Sequence, residues 1–151
     1  MRIGVISDTH GLLRPEALEA LKGSDHIIHG GDVGSAEVLA ALRAIAPVTA
    51  VRGNNDRANW TDGLPTAVTL DLAGVRIYVL HDLMDFDFDL HESKVRAVIS
   101  GHSHRPKVEH RDGILFFNPG AAGPRRFKLP VTVGRIELDG NEIKAEVIDL
   151  L

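Results

Sequence analysis

At 151 residues the chain has the length of one ordinary domain, enough to bury a core without disulfide or metal staples. It contains no cysteine, which excludes disulfides and thiolate metal sites, so any metal must be held by oxygen and nitrogen. A formal charge of −4 with no run of Lys and Arg argues against binding along a nucleic-acid backbone.

The first apolar run, residues 3–6, reads as a buried strand and is too short for a signal peptide or a membrane span. A soluble, cytoplasmic protein with no membrane partner is the expectation. Pro15–Leu21 predicts a helix, with Pro in the first turn and Leu18 and Leu21 on one face. His26–His29 is a second strand, ending in Gly30-Gly31-Asp32. Ser35 is placed as an N-cap for a helix over 37–46 that turns Val38, Leu39, Leu42 and Ile45 to the core and stops at Pro47. Residues 48–51 form a third strand, followed by Gly53-Asn54-Asn55-Asp56. Strand, helix, strand, helix, strand is the pattern of a parallel α/β core.

Ala67–Leu72 and Val75–Leu80 flank Ala73-Gly74 as a hairpin, and His81 follows. Residues 82–94 are ambiguous between a short helix and the period-two run at 85–89. Residues 97–100 predict a buried strand before Gly101-His102-Ser103-His104. Residues 114–117 lead into the turn Asn118-Pro119-Gly120. Residues 131–138 and 143–148 close the chain as a hairpin through Asp139-Gly140-Asn141. No repeat or linker interrupts the chain, so one domain over 1–151 is expected.

Five strand ends therefore carry Asp8 with His10, Asp32, Asn54, His81, and His102 with His104. That is where open α/β sheets place ligands. If the first strand continues far enough, Asp8 and His10 face one point, because residues i and i+2 share a side; the same holds for His102 and His104, unless a turn there aims them at two neighbouring ions. Carboxylate, amide oxygen and imidazole suit manganese, iron, zinc or nickel rather than calcium. Seven such residues exceed one site and suffice for two ions sharing a carboxylate. Two ions about 3.5–4 Å apart can activate water and neutralise a phosphoryl group.

D-x-H, G-D, G-N-x-D, a lone His after a strand, and G-H-x-H occur here in one order. That order resembles the calcineurin-like metallophosphoesterases, and the short chain with a late Asn-Pro-Gly resembles the small YfcE-type phosphodiesterases. The resemblance implies an α/β, four-layer α/β/β/α sandwich of two mixed β-sheets flanked by helices. It implies that Asp8, His10 and His104 bind one ion, that Asn54, His81 and His102 bind the other, and that Asp32 bridges them. It also implies manganese as the usual ion, a bridging hydroxide as nucleophile, and catalytic roles at Asn54 and His81. Asp56 is read either as a carboxylate orienting its neighbours or as a turn residue. Arg125 and Arg126 are read as candidate phosphate contacts with Asn54, since a guanidinium suits bidentate phosphate binding. A small phosphate ester is the expected partner, with homo-oligomerisation left open.

The chain departs from the family pattern at three places. Where many relatives have His after the first Asn of G-N-x-D, and the small phosphodiesterases often have Cys, this chain has Asn55, whose amide cannot act as an acid. It reads His81-Asp82-Leu83 where relatives often read H-G-H, and Ala121 follows Asn-Pro-Gly where Ser is common. Singly, the motif residues have plainer readings: Asp8 and Asp32 as helix caps, His81 as a core histidine, His102 and His104 as a polar strand end. His29 is read as strand packing, His26, His91 and His110 as surface residues, Phe86 and Phe88 as core or interface. Trp60 is left between stacking on a substrate ring and covering the core. The functional alternatives are a phosphomonoesterase or cyclic-nucleotide hydrolase on the same site, a nuclease (disfavoured by the acidic balance), and a non-catalytic scaffold. A retromer subunit resembles this family but has lost ligand histidines that this chain keeps. With no insertion to form a lid, the site is expected to be shallow.

Overall fold

The structure, a computed structural model, describes residues 1–86 and 89–151, apart from the side chain of His91. The sequence readings for Phe88 and for the side chain of His91 therefore lie outside the described residues.

The first sheet is built from β1 (Arg2–Ile6), β2 (His26–His29), β3 (Val48–Ala50), β9 (Thr132–Asp139) and β10 (Glu142–Asp149), in the order β10-β9-β1-β2-β3. β1, β2 and β3 run parallel, and β9 and β10 pair antiparallel beside β1. The second sheet takes β4 (Ala67–Leu72), β5 (Val75–Leu80), β6 (Ala97–Ile99), β7 (Lys107–Arg111) and β8 (Ile114–Asn118), in the order β4-β5-β6-β8-β7. Its three central strands are parallel and its two edges antiparallel. Both sheets are mixed, as expected.

Strand alternation shows how the layers form. Ile3 and Val5 of β1, Ile28 of β2, Val75, Ile77 and Val79 of β5, Ile99 of β6 and Phe117 of β8 meet in one core between the sheets. The adjacent residue in β1 or β2, Ile6 or Ile27, points outward to helices α1 (Pro15–Leu21) and α2 (Ala36–Arg43), against Leu21, Leu39 and Leu42. On the far face of the second sheet, Tyr78, Leu80, Val98 and Ile114 pack under Phe86, Leu90 and Val95. That outer layer is thin: a 3-10 turn at Leu83–Asp85 and the one-turn helix α3 (Leu90–Ser93). This resolves the ambiguous segment, outside Asp87 and Phe88. The central strands are buried on both faces, which is why they read as continuous apolar runs.

α2 ends at Arg43, three residues before the expected stop. Pro47 disfavours helical geometry at the residue before it, and the chain leaves through a tight turn in which Ile45 donates to the Leu42 carbonyl at 3.0 Å. Ser35 sits at the N-cap position but makes no capping bond. β7 was not foreseen. It is a charged edge strand, with Lys107 and Arg111 flanking Glu109, so it lacks the apolar alternation that marks a strand and carries charges that discourage edge pairing. Trp60 packs against the core of the first sheet's outer face, so the core-covering reading holds. His26 is half-buried rather than a surface residue, 2.7 Å from Thr49 Oγ1, whereas His110 is exposed. No helix among the described residues is long and apolar enough to cross a membrane.

Candidate metal centre

The carboxyl ends of β1, β2, β3, β5 and β6 emerge along one edge of the sandwich, and the loops there stay paired beyond the strands. Asp8 N–H donates to the Gly31 carbonyl, His10 N–H to Asp32, and Gly101 N–H to His81. Two contacts then cross from one sheet to the other. The His102 backbone N–H donates to Asp8 Oδ2 at 3.0 Å, and His81 Nδ1 lies 2.7 Å from the Gly30 carbonyl. Asp8, His10, Asp32 and Asn54 thus come from the first sheet, and His81, His102 and His104 from the second.

β1 ends at Ile6, so the i, i+2 alternation does not extend to Asp8 and His10. Convergence has another cause. Asp8, His10, Asp32, His102 and His104 all adopt left-handed backbone conformations, with φ between 47° and 71°. Asp and His are among the few non-glycine residues that visit this region, and such positions cluster at functional sites. Each left-handed residue bends the chain sharply just beyond a strand end. Close approach also requires glycine. A Cβ on Gly101 would overlap Ser7 Oγ and approach Asp8 Oδ2, and one on Gly53 would overlap the Asp32 backbone N and Oδ1.

The buried carboxylate of Asp8 is half satisfied. Ser7 Oγ donates to Oδ2 at 2.7 Å, beside the His102 N–H, while Oδ1 has no hydrogen-bond partner. Around Oδ1 stand His104 Nε2 at 3.4 Å, His10 Nε2 at 3.9 Å and His81 Nε2 at 3.9 Å. Asp32 Oδ2 lies between His81 Nε2 at 3.3 Å and His10 Nε2 at 3.7 Å. His10 Nε2 and His81 Nε2 are likewise buried without hydrogen-bond partners. An oxygen and two nitrogens left unpaired and turned toward one another would cost more than 1 kcal/mol each. A cation among them removes that cost. Two groups have the spacing for a divalent ion, Asp8 with His10 and His104, and Asp8 with Asp32 and His81. The first group is the trio expected from the sequence; the second joins Asp32 and His81 through Asp8, without the His102 expected beside them.

Electrostatics agrees. Burial pushes the Asp8 carboxyl up, but the nearby His104 imidazole, the charge of His81 and the Ser7 hydroxyl outweigh it and hold it below its ordinary value. Burial also opposes ionisation of Asp32, yet His81 and the Asn55 backbone N–H hold it well below the carboxylate range. Burial lowers His81, while Asp32, the Gly30 carbonyl and Asp8 raise it further, for a net rise. The site is built to keep carboxylates negative beneath a positive neighbour.

The remaining expected residues stand as follows. His102 is half-exposed and meets the His81 ring edge-on, centroids 5.2 Å apart. Asn54 is exposed and lines a cavity of about 530 Å³ with His81, His102, Arg52, Arg57, Tyr78, Leu80, Asp82 and Asp85. Asp56 is buried and accepts three backbone N–H bonds, from Val33, Gly34 and Gly53, tying the Asp32 loop to the Asn54 loop. Asn55 donates to both oxygens of Asp32, from its backbone N–H at 2.9 Å and its side-chain Nδ2 at 3.1 Å. Arg125 and Arg126 do not reach the cavity. They are exposed, and Arg125 Nε donates back to the Leu129 carbonyl. The cations that line the cavity are Arg52 and Arg57, which bracket the Gly-Asn-Asn-Asp motif and were visible there. Ser7, Asp82 and Asn118 were also missed. Asn118 Nδ2 donates to the Gly101 carbonyl at 3.0 Å and steadies the His102 loop.

His29 is a buried member of this network. Its Nδ1 accepts from Gly31 N–H at 3.0 Å, its Nε2 donates to Thr9 Oγ1 at 3.0 Å, and that hydroxyl donates to the Val33 carbonyl at 2.7 Å. Burial lowers its pKa to about 4. Below pH about 6.5 the unfolded chain takes up a proton that the folded one refuses, so stability is intact above that pH and falls as pH drops toward 4. The expected loss from His29 is about 3 kcal/mol in full, of which about 2 kcal/mol has appeared by pH 4.5. Urea unfolding of chelator-treated protein at pH 7 and pH 4.5 measures it. His29→Gln should remove this share of the slope, and an equal slope in that variant rules the assignment out.

Comparison with known proteins agrees with this geometry. A probable metallophosphoesterase of Methanothermobacter thermautotrophicus is 32% identical over 160 residues, covering 98% of this chain and 92% of the relative. The structure of vacuolar protein sorting 29 from Cryptosporidium parvum superposes with a TM-score of 0.85 at 23% identity, covering 99% of this chain and 91% of that one. An archaeal phosphodiesterase superposes at 0.80 with 24% identity, covering 98% of this chain and 100% of that one. At those identities the two structures speak to fold alone. The model of the calcineurin-like phosphoesterase superfamily domain matches residues 1–141, and the chain belongs to that superfamily.

Proposed function

We propose that this chain is a metal-dependent phosphodiesterase of the small YfcE type, acting on low-molecular-weight phosphate esters in the cytoplasm with two divalent ions, manganese foremost. The observation that carries the reading is the set of buried, unpartnered atoms Asp8 Oδ1, His10 Nε2 and His81 Nε2, which face one another across two sheets.

Asp8, His10 and His104 would hold one ion, and Asn54, His81 and His102 the other, with Asp32 between them. When bound, such ions polarise phosphoryl oxygens and make water a strong nucleophile at neutral pH. The residues of the chain do the rest. His81 donates Nδ1–H to the Gly30 carbonyl, which fixes the tautomer and presents Nε2. Asn55 holds Asp32 in place, and Asp56 acts through the backbone of the two loops it clamps. Arg57 and Asn54 line the cavity and would take the non-bridging phosphoryl oxygens, Arg57 once its Nε leaves the Asn54 carbonyl. The diester preference follows the archaeal phosphodiesterase whose fold the chain shares; Asp82 and Asp85 in the cavity are matched there by Arg52 and Arg57 and do not themselves select against a dianion.

Elemental analysis of purified protein, with rates on bis-nitrophenyl and nitrophenyl phosphate in added manganese, tests the reading. About two ions per chain and a faster diester are expected. A faster monoester would move the assignment to a phosphomonoesterase. Protein without metal and without manganese stimulation would leave the scaffold.

A further inference from the structure

We propose that Asp82 is a positioning residue for the second ion: its carboxylate anchors the outer nitrogen of His102 so that the inner nitrogen faces the metal. The inference rests on the phosphodiesterase reading and adds a residue to it.

His102 needs an anchor. Its side chain is 43% exposed, so packing does not fix its rotamer, and its backbone is left-handed with φ 71°. One restraint is the T-shaped contact with His81. The other is Asp82, whose Oδ2 lies 3.5 Å from His102 Nε2. Asp82 is itself held, because its Oδ1 accepts from the Met84 N–H at 3.0 Å and caps the 3-10 turn at Leu83–Asp85. The carboxylate therefore stands at a defined point, opposite one nitrogen of the ring.

The tautomer follows. A carboxylate beside Nε2 favours a hydrogen on that nitrogen, which leaves the lone pair on Nδ1 for the ion. His81 is the mirror case, with Nδ1 committed to the Gly30 carbonyl and Nε2 free. The two histidines of this position thus present opposite nitrogens. A carboxylate on the far nitrogen also makes an imidazole a better donor to a metal, and losing such a partner costs about 10–100-fold in metal affinity.

Asp82→Asn tests this, because it keeps the oxygen that caps Met84 and removes only the charge. Manganese is titrated calorimetrically into metal-stripped wild type, Asp82→Asn, Asp82→Glu, His102→Ala and the Asp82→Asn/His102→Ala double variant. Expected are two ions in the wild type, a second ion bound roughly 10–100-fold more weakly in Asp82→Asn, and a first ion bound as before. Asp82→Glu, which restores the charge, should recover part of the loss. In the His102→Ala background, Asp82→Asn should have no further effect. A second-ion affinity within about twofold of wild type in Asp82→Asn overturns the inference alone. An undiminished effect in the His102→Ala background overturns it in favour of direct binding by Asp82. A wild type that takes up no second ion overturns both the inference and the reading beneath it.

Discussion

Asp8→Asn is expected to reduce phosphodiester hydrolysis by roughly 10³-fold or more, about 4 kcal/mol in the barrier. Asp8 Oδ1 is common to both metal-spaced groups, and it is the unpaired oxygen about which His10, His81 and His104 are arranged. The substitution is isosteric, and Oδ2 can still accept from Ser7 and the His102 N–H if the amide turns its oxygen that way. The other end is then an NH₂ group aimed at the centre, where a donor cannot bind a cation. Fold should survive while metal content falls from about two ions per chain. Parallel elemental analysis, thermal melting and turnover of bis-nitrophenyl phosphate would show it. A variant with two ions and more than a tenth of the wild-type rate would remove Asp8 from the centre.

Esters with good leaving groups are expected to outpace poor ones by about 10²–10⁴, the usual worth of a positioned general acid. The position that carries an acid in many relatives is Asn55. Its amide is spent on Asp32 Oδ2, with the backbone N–H on Oδ1, so it neither supplies a proton nor points at the departing oxygen. An aryl oxide leaves without protonation, whereas an alkoxide does not. Matched aryl and alkyl diesters, measured at saturating manganese, give the ratio. Equal rates would mean that some other group in the cavity delivers the proton. Asn55→His should narrow the gap by raising the alkyl rate, at the cost of loosening Asp32.

Much of this was legible in the sequence because the signal is local. Short apolar runs closing on Asp8, Asp32, Asn54, His81 and His102 mark both the strands and the edge where ligands gather. What was not legible is long-range or conformational. Asp8 and His102 are joined by a hydrogen bond across 94 residues, which no window along the chain reveals. The left-handed backbone at Asp8 and His10 replaced the extended geometry that alternation predicts, although it reached the same convergence. β7 was invisible because both its faces are largely exposed. Arg125 and Arg126 looked like phosphate contacts by proximity to Asn-Pro-Gly, but the chain turns them to the surface. Arg52 and Arg57 flank the Gly-Asn-Asn-Asp motif, but nothing in their spacing separates a cation that lines a cavity from one on open surface.

The left-handed residues have a cost that shows when function is taken away. Holding a non-glycine residue there costs about 1–2 kcal/mol, and an unpaired buried nitrogen adds a comparable amount. His10 carries both burdens at once, with φ 47° and an unpartnered Nε2. In metal-free protein, His10→Gly would shed them together, so an inert variant should melt above the parent. The native sequence is therefore not the most durable one for its own backbone, and attempts to harden this protein by random mutation will tend to select changes that silence it.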